Sequence, residues 1–471
     1  MLLPQNVAIT LQETLSRQLR DAILAGTHAP GSRLPASRAL AQTLGVSRVT
    51  VEAAYARLEA EGYVRRRVGA GTFVAVAPLA PRQGRPSGDA AIAGLSRRGS
   101  ATVPDGILPT MPWGRGLHAA VPDLRLFPRV LWQRLQSEVL LKGPDSLFDY
   151  GDSRGYLPLR QAIAGYLAQS RGVRCDADQV LVMTSSQQAI QLLASLLLDP
   201  GDVTWLEDPG YPGARAALQA AGASLVGVPV DDEGLTWREQ ALPTPRLIYT
   251  TPSHQYPLGM RMSLARRLAL LDYARAQRAW VIEDDYDGEY QYDHAPLPAM
   301  QGLDDAGCVL YVGTFSKVLF PGLRLAYAVV PKPLVPALAA ARRAFDGYSS
   351  QIAQAVTARF IEAGYFAQHL RHTRLIYRSR RDVLLEALHP LRDELVPQGF
   401  DSGLRGVVRL PPGKEAPWTA AGKLAGLQLR GLAGLYLGQP GREGWMLAHA
   451  TLDHAEIHEA VAQLSRVVHG R

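Results

Sequence analysis

Apolar residues recur every fourth position near the start of the chain. Leu11, Leu15, Leu19 and Ile23 mark one stripe of a helix over 11–26, which Gly26 and Pro30 end. A shorter helix is predicted over 34–45, with Ser37 placed to cap it and Gly45 to stop it. A third spans 46–62 with Ser47 as its N-cap. The stretch YVRRRVGAGTFVAV (63–76) then switches to two β-rich arms around VGAG, which predicts a hairpin. From Trp113 onward short apolar runs alternate with helical segments. QVLVMT (179–184), DVTWLED (202–208), RLIYTTP (246–252), AWVIEDDY (279–286), CVLYVG (308–313) and LAYAVV (325–330) read as strands. QQAIQLLASLLLD and SLARRLALLDYARAQ between them read as helices. That alternation predicts an α/β fold with a largely parallel sheet.

Between the two patterned regions lies a stretch of different composition. Residues 77–112 hold six Pro, five Gly and no aromatic residue, too little apolar surface to bury, and read as a flexible linker. The chain is thus divided into 1–76, a linker over 77–112, and 113–471. Charge follows the same division. The net +7 is unevenly spread: residues 1–76 carry nine Arg against five acids, whereas 113–471 are near neutral. A basic module on a neutral body suggests a nucleic-acid partner. Three helices and a hairpin form a winged helix-turn-helix pattern, whose second helix of the tight pair enters a DNA groove. That helix begins at Ser47, and its first turn offers Ser47, Arg48 and Thr50 as donors. Arg38 and the Arg65–Arg67 run are read as phosphate contacts, and Gly69 as a point of close approach for the wing. A small helical dimerisation module with a solvated Arg face is the plainer alternative.

Other classes are set aside by composition. No apolar run is long enough to span a bilayer, and the first residues lack the features of a signal peptide. Cys175 and Cys308 are the only cysteines and have no metal-like spacing, so neither a disulfide nor a metal site is expected. Cytoplasmic residence is the expectation.

Lysine is scarce: five of the 50 basic residues, at Lys142, Lys317, Lys332, Lys414 and Lys423. Unlike guanidinium, an amine can lose its proton and attack a carbonyl. Lys317 lies in GTFSKVLFPGLR (313–324), a loop between two apolar strands. Alone it reads as a solvated loop lysine. The ends of the other strands change the reading, because ligands of such sheets sit there. SSQQAI opens a helix after the first strand with Ser185, Ser186 and Gln187, a phosphate cradle. PGYPG presents Tyr211, EDDYD presents acids and Tyr286, and TFSK presents Thr314, Ser316 and Lys317, with Arg324 following. Each has a plain structural reading, as a helix cap or an acidic turn. Together they match one ligand, pyridoxal 5′-phosphate (PLP). It needs a lysine for its aldehyde, a carboxylate for its ring nitrogen, an aromatic plane, a phenol and a phosphate site.

The first 76 residues resemble the winged helix of GntR-superfamily regulators. LPASRALAQTLGVSRVTVEAAYARLEAEGYVRRRVGAGTFV carries that family's LPS-x-R-x-LA, LGVSR-x-TV, Y-x-L-x-x-EG and G-x-GT elements, departing only at Ala36, where Ser is usual. The resemblance implies that Arg38, Ser47, Arg48, Thr50 and Gly69 contact DNA. Residues from about 113 to 455 resemble fold-type I, class I aminotransferases through DYGDSRGYLPLRQAIAGYL, TSSQQAI, EDPGYPGAR, TPSHQYPLG, IEDDYDGEYQY and GTFSKVLFPGLRLAY. It implies that Lys317 forms a Schiff base with PLP, that Asp284 pairs with the pyridine nitrogen and that Tyr286 bonds the ring O3′. Tyr211 would stack, and Ser185, Ser186, Gln187, Thr314, Ser316 and Arg324 would surround the phosphate. The adjacent pair Asp284 and Asp285 leaves the register open, and Asp284 is taken.

The order of parts is similar to the MocR subfamily of GntR regulators. That likeness implies a head-to-tail homodimer that binds operator DNA and senses an amine or a vitamin B6 aldehyde through Lys317. A working aminotransferase with secondary DNA binding is the alternative, and a body that only dimerises is the third. Two departures bear on the effector. Tyr256 stands where aminotransferases carry Asn, and Met446 or Leu447 stands where an Arg often binds the substrate carboxylate. Arg405, Arg409 and Arg442 are candidate replacements without a placement, so an effector lacking a carboxylate fits at least as well.

Overall fold

The computed structural model describes residues 11–75, Ser96, Gly99 and 116–470. The chain divides between Gly94 and Leu95 into two compact units. Apart from Ser96 and Gly99, the stretch read as a linker over 77–112 lies outside the described residues.

In the small unit, α1 (Leu11–Leu24), α2 (Ser37–Leu44) and α3 (Arg48–Ala60) precede a hairpin of β1 (Val64–Arg67) and β2 (Gly71–Val74). The fourfold stripe of α1 packs as expected through Leu15, Leu19 and Ile23, which meet Val51, Ala54, Tyr55 and Leu58 of α3. Leu11, the first of the stripe, is exposed at the helix end instead. Ser37 does not cap α2: the helix already starts there, Ala36 holds the N-cap position, and no side chain caps it. Gly45 does stop α2, at φ 65°, a left-handed conformation that costs glycine little. Two residues later the Ser47 hydroxyl accepts from the Thr50 N–H at 3.1 Å and opens α3. The Tyr55 hydroxyl donates to the Pro35 carbonyl at 2.7 Å and ties α3 to the entry of α2.

The large unit is built on an eight-stranded sheet. Its strands are β3 (Val180–Met183), β4 (Val203–Asp208), β5 (Ser224–Asp231), β6 (Gly234–Leu235), β7 (Leu247–Thr250), β8 (Trp280–Asp285), β9 (Val309–Thr314) and β10 (Ala326–Val329). They are ordered β3-β10-β9-β8-β7-β4-β5-β6. Only β10 and β6 run against the rest, so the sheet is mostly parallel. β3, β7, β9 and β10 are buried along their whole length, which is why they read as unbroken apolar runs. Helices Ser186–Leu197 and Pro212–Ala220 leave the ends of β3 and β4 and cover one face with Ile190, Leu193, Ala214 and Leu218. A second sheet, wholly antiparallel, holds β11 (Val396–Gln398), β12 (Arg405–Arg409), β13 (Arg430–Gly431) and β14 (Gly444–Ala448) in the order β11-β12-β14-β13.

The C-terminal ends of β3, β4, β7, β8 and β9 face one region, as expected for ligand sites in parallel sheets. The loop after β7 is fastened there by a buried carboxylate at the end of β4. Glu207 accepts from the Thr250 hydroxyl (2.5 Å), the Thr251 N–H (3.0 Å), the Thr251 hydroxyl (2.6 Å) and the Gln255 amide (3.3 Å). The loop returns through Gly259 at φ 83°, where an added Cβ would lie 2.5 Å from the Gly399 carbonyl oxygen. Both the backbone conformation and the contact require glycine. Gly259→Ala is therefore expected to destabilise the large unit by about 2 kcal/mol. Denaturant unfolding followed by tryptophan fluorescence checks this, and an unchanged midpoint would show that the loop yields freely.

Candidate functional site

A cavity of about 640 Å³ opens where those strand ends meet the second sheet. Ser185, Ser186, Gln187, Tyr211, Asp284, Tyr286, Thr314, Ser316, Lys317 and Arg324 all line it, so the residues expected from the sequence to hold the cofactor are brought to one place. Its volume suits a small cofactor.

The carboxylate pair at the end of β8 is split by the strand's alternation. Asp285 turns away, accepting from Arg171 Nε at 2.7 Å and the Tyr311 hydroxyl at 2.8 Å. Asp284 lines the cavity. Its Oδ2 accepts from the Tyr249 hydroxyl at 2.7 Å, and its Oδ1 is buried with no partner. Burial, opposed in part by the Tyr249 hydrogen bond, pushes the Asp284 carboxyl up to about 7. A buried, half-satisfied carboxylate is a natural partner for a protonated ring nitrogen.

Lys317 follows β9. Its Nζ donates to the Ala120 carbonyl at 2.7 Å. Burial first, and the Arg405 guanidinium second, bring its ammonium down to about 8. The amine is thus poised near neutral pH, the state a nucleophilic lysine needs.

The phosphate candidates are arranged around a helix start. Ser185 is the N-cap of helix Ser186–Leu197, its hydroxyl accepting from the Gln188 N–H at 3.1 Å, so its other lone pair and the first free amides face outward. Thr314 Oγ1 accepts from the Ser316 N–H at 3.1 Å. Arg324 is exposed at φ 55° and has no ion pair among the described residues. Tyr211 sits just before helix Pro212–Ala220, edge-on to Tyr256 with centroids 5.3 Å apart. These groups fit PLP: a lysine, an orphaned carboxylate oxygen, an aromatic face, and hydroxyls and an arginine for the phosphate.

Several lining groups were not assigned from the sequence. The Tyr286 hydroxyl donates to the His254 carbonyl at 2.9 Å and accepts from Arg405 Nη2 at 2.9 Å. His254 Nδ1 lies 3.0 Å from Asp287, which also lines the cavity. TPSHQYPLG and EDDYD hold His254, Tyr286 and Asp287, but nothing in their spacing shows that they meet. Tyr249 is hidden in the same way within an ordinary strand. Of the three arginines without a placement, Arg405 lines the cavity, whereas Arg409 and Arg442 do not. Met446 lines it too, and Leu447 packs into the core beneath. Arg430 completes the wall.

In the small unit, Arg38, Ser47, Arg48 and Gly69 are exposed, and Thr50 is half-buried beneath the Ser47 cap. Arg48 lies 3.9 Å from Glu52, one helical turn on. Gly69 holds φ 76° in the hairpin turn. The Arg65–Arg67 run does not act as a block. Arg65 and Arg67 are exposed, but Arg66 donates to the Glu52 carbonyl at 2.8 Å and pairs with Glu52 (3.3 Å) and Glu59 (3.4 Å). Its role is to fasten the hairpin to α3. Among the described residues no helix is long and apolar enough to cross a membrane, and no cluster of metal-ligating side chains occurs.

Comparison with known proteins matches two separate parts of the chain. Residues 11–74 match the bacterial regulatory proteins of the gntR family, and 123–464 match aminotransferase class I and II. The probable rhizopine catabolism regulatory protein MocR of Rhizobium meliloti is 38% identical over 98% of this chain and 95% of its own length. The pyridoxine biosynthesis transcriptional regulator PdxR of Corynebacterium glutamicum is 30% identical over 96% of this chain and 95% of its own. Among solved structures, the α-aminoadipate aminotransferase LysN of Thermus thermophilus, complexed with N-(5′-phosphopyridoxyl)-L-leucine, is 28% identical. It superimposes with a TM-score of 0.69 over 75% of this chain and 92% of LysN. With both parts matched and a full-length relative of the same organisation, the chain belongs to the MocR-type subfamily of GntR-superfamily transcriptional regulators.

Proposed function

We propose that this regulator binds PLP on Lys317 and senses an amine or a vitamin B6 aldehyde there, passing the result to its DNA-binding unit. The observation that carries the reading is a single cavity lined by a buried lysine amine and a buried carboxylate with one unpartnered oxygen, burial pushing the first down to about 8 and the second up to about 7. A pyridoxine-linked regulator among the relatives and a phosphopyridoxyl adduct in LysN support the same ligand. When bound, PLP supplies an aldehyde that condenses with primary amines and a ring that withdraws electrons.

The chain's own residues set the conditions for this. Asp284 would hold the proton of the ring nitrogen. Tyr211 would cover the ring face, with Tyr286 at the ring oxygen. Ser185, Ser186, Gln187, Thr314, Ser316 and Arg324 would seat the phosphate. For Tyr286 to donate to the ring oxygen, its hydroxyl hydrogen must leave the His254 carbonyl. In the small unit, Arg48 and Thr50 at the start of α3 would read base edges, and Arg38 and the hairpin turn at Gly69 would meet phosphates. A homodimer would present two such units to an operator in the cytoplasm.

Added PLP is expected to give a visible absorption band that borohydride fixes on the peptide containing Lys317. Lys317→Ala should lose both. The rate of uptake should rise about tenfold between pH 7 and 9 around a midpoint near 8, as the amine loses its proton. A pH-independent rate, or an intact band in the variant, would refute the role of Lys317.

Asp284 gives a second test, in the cofactor-free protein. Its folded pKa of about 7 lies above the unfolded value, so folding favours its proton, and stability is lost as pH rises from about 4 to 7. Asp284→Asn removes this loss. Its melting temperature relative to the unsubstituted protein should therefore rise on going from pH 4.5 to pH 8, whereas a constant difference would mean that the carboxyl is not buried as a charge. For DNA, affinity for promoter fragments should fall steeply with salt, and Arg48→Ala should lose sequence preference while keeping weak binding. Equal binding by residues 77–471 alone would remove DNA recognition from the small unit.

A further inference from the structure

The cavity holds a buried cation with no anion. Arg405 is 4% exposed, yet no carboxylate lies within ion-pair distance of it among the described residues. Its Nη1 donates to the Pro257 carbonyl at 3.0 Å and lies 3.7 Å from the Met446 sulfur, and its Nη2 donates to the Tyr286 hydroxyl. The nearby acid on the wall, Asp287, is committed to His254 at 3.0 Å. The guanidinium rests on the Tyr256 ring, 4.4 Å from its centroid, so the residue that departs from the aminotransferase pattern is the shelf that holds it. The Tyr256 hydroxyl is itself buried without a partner. A buried guanidinium with unused N–H donors is costly to maintain unless a ligand neutralises it.

Sheet register explains how it reaches this place. Arg405 pairs with Ala448 and Val407 pairs with Met446, so Arg405 lies on the same face as Met446, one strand over. On the other side of β14, Arg430 pairs with Met446. Two guanidinium groups thus flank the strand that carries Met446 and Leu447 where the resemblance places an Arg.

We infer that Arg405, assisted by Arg430, is the anion seat of the effector site, and that the effector is a primary amine bearing a carboxylate. The inference rests on the proposed amine-sensing role of the cavity and narrows its ligand. It also decides between the three arginines left without a placement in favour of Arg405, against the expectation that an effector lacking a carboxylate fits at least as well. The anchor is present on a neighbouring strand.

The test uses full-length protein with added PLP and four matched pairs of probes: glycine and methylamine, β-alanine and ethylamine, 4-aminobutyrate and propylamine, 5-aminopentanoate and butylamine. The shift of the cofactor band is followed against concentration. At least one acid should half-saturate roughly 30-fold or more below its parent amine. Arg405→Gln should bring that ratio to within about threefold, and Arg430→Gln should reduce it less. Arg405→Lys, which keeps the charge, should restore part of it. Four matched pairs of equal potency in the unsubstituted protein would overturn the seat without relying on any variant. So would an undiminished ratio in Arg405→Gln. Calorimetry with the same probes in the absence of PLP separates the two readings. Acid preference without any cofactor band keeps the anion seat and refutes PLP binding, whereas a band without acid preference keeps PLP and refutes the seat.

Discussion

The buried carboxylate of Glu207 is the interaction on which the cavity depends. It sits at the end of β4 with no ion-pair partner among the described residues, and is satisfied by two hydroxyls, one backbone N–H and one amide from the end of β7 and the loop after it. Four donors on a fully enclosed acid fix the loop's path. That path places His254 against Asp287 and behind Tyr286, and sets Tyr256 under Arg405. The positions of a phenol and a guanidinium on the wall are thus decided by a group that does not touch the ligand space opposite Lys317.

A second constraint is electrostatic. Asp284 and Lys317 share a poorly solvated space, and burial drives both toward neutrality: the carboxyl up, the ammonium down. Each is adjusted toward the pH at which a proton can be exchanged. Neighbouring charges add to this, Arg405 lowering Lys317 and Asp285 and Asp287 raising Asp284, although both of these acids have partners of their own. Asp285 is neutralised by Arg171 on the far side of the strand, and Asp287 is engaged with His254.

Much of this was legible in the sequence because it is local. Strands buried on both faces are continuous apolar runs, and the residue after such a run is a site residue in a parallel sheet. That logic reached Ser185, Tyr211, Asp284 and Lys317. It failed where the signal is not contiguous. β5 was missed because SLVGVPVD carries Gly227 and Pro229 and is only partly buried. Arg405 was a candidate without a placement and Arg430 was not among the candidates, because both reach the cavity only through the pairing of β12, β14 and β13, short strands spread over 396–448. Arg66 was read as a phosphate contact because its partners, Glu52 and Glu59, are a helix away. Ser37 was given a capping role one residue too late, since α2 begins at the serine itself.

The hydrogen bond from Lys317 to the Ala120 carbonyl has a consequence beyond the cavity. An ammonium carries three hydrogens, and a lysine nitrogen joined covalently to a ligand carbon through a double bond carries at most one. Such a nitrogen has at most one hydrogen left for the Ala120 carbonyl, and none when it is unprotonated. Residues 117–121 line the cavity and follow the stretch by which the chain leaves the basic unit. Lysine chemistry at this nitrogen and the fastening of that segment therefore draw on the same few hydrogens.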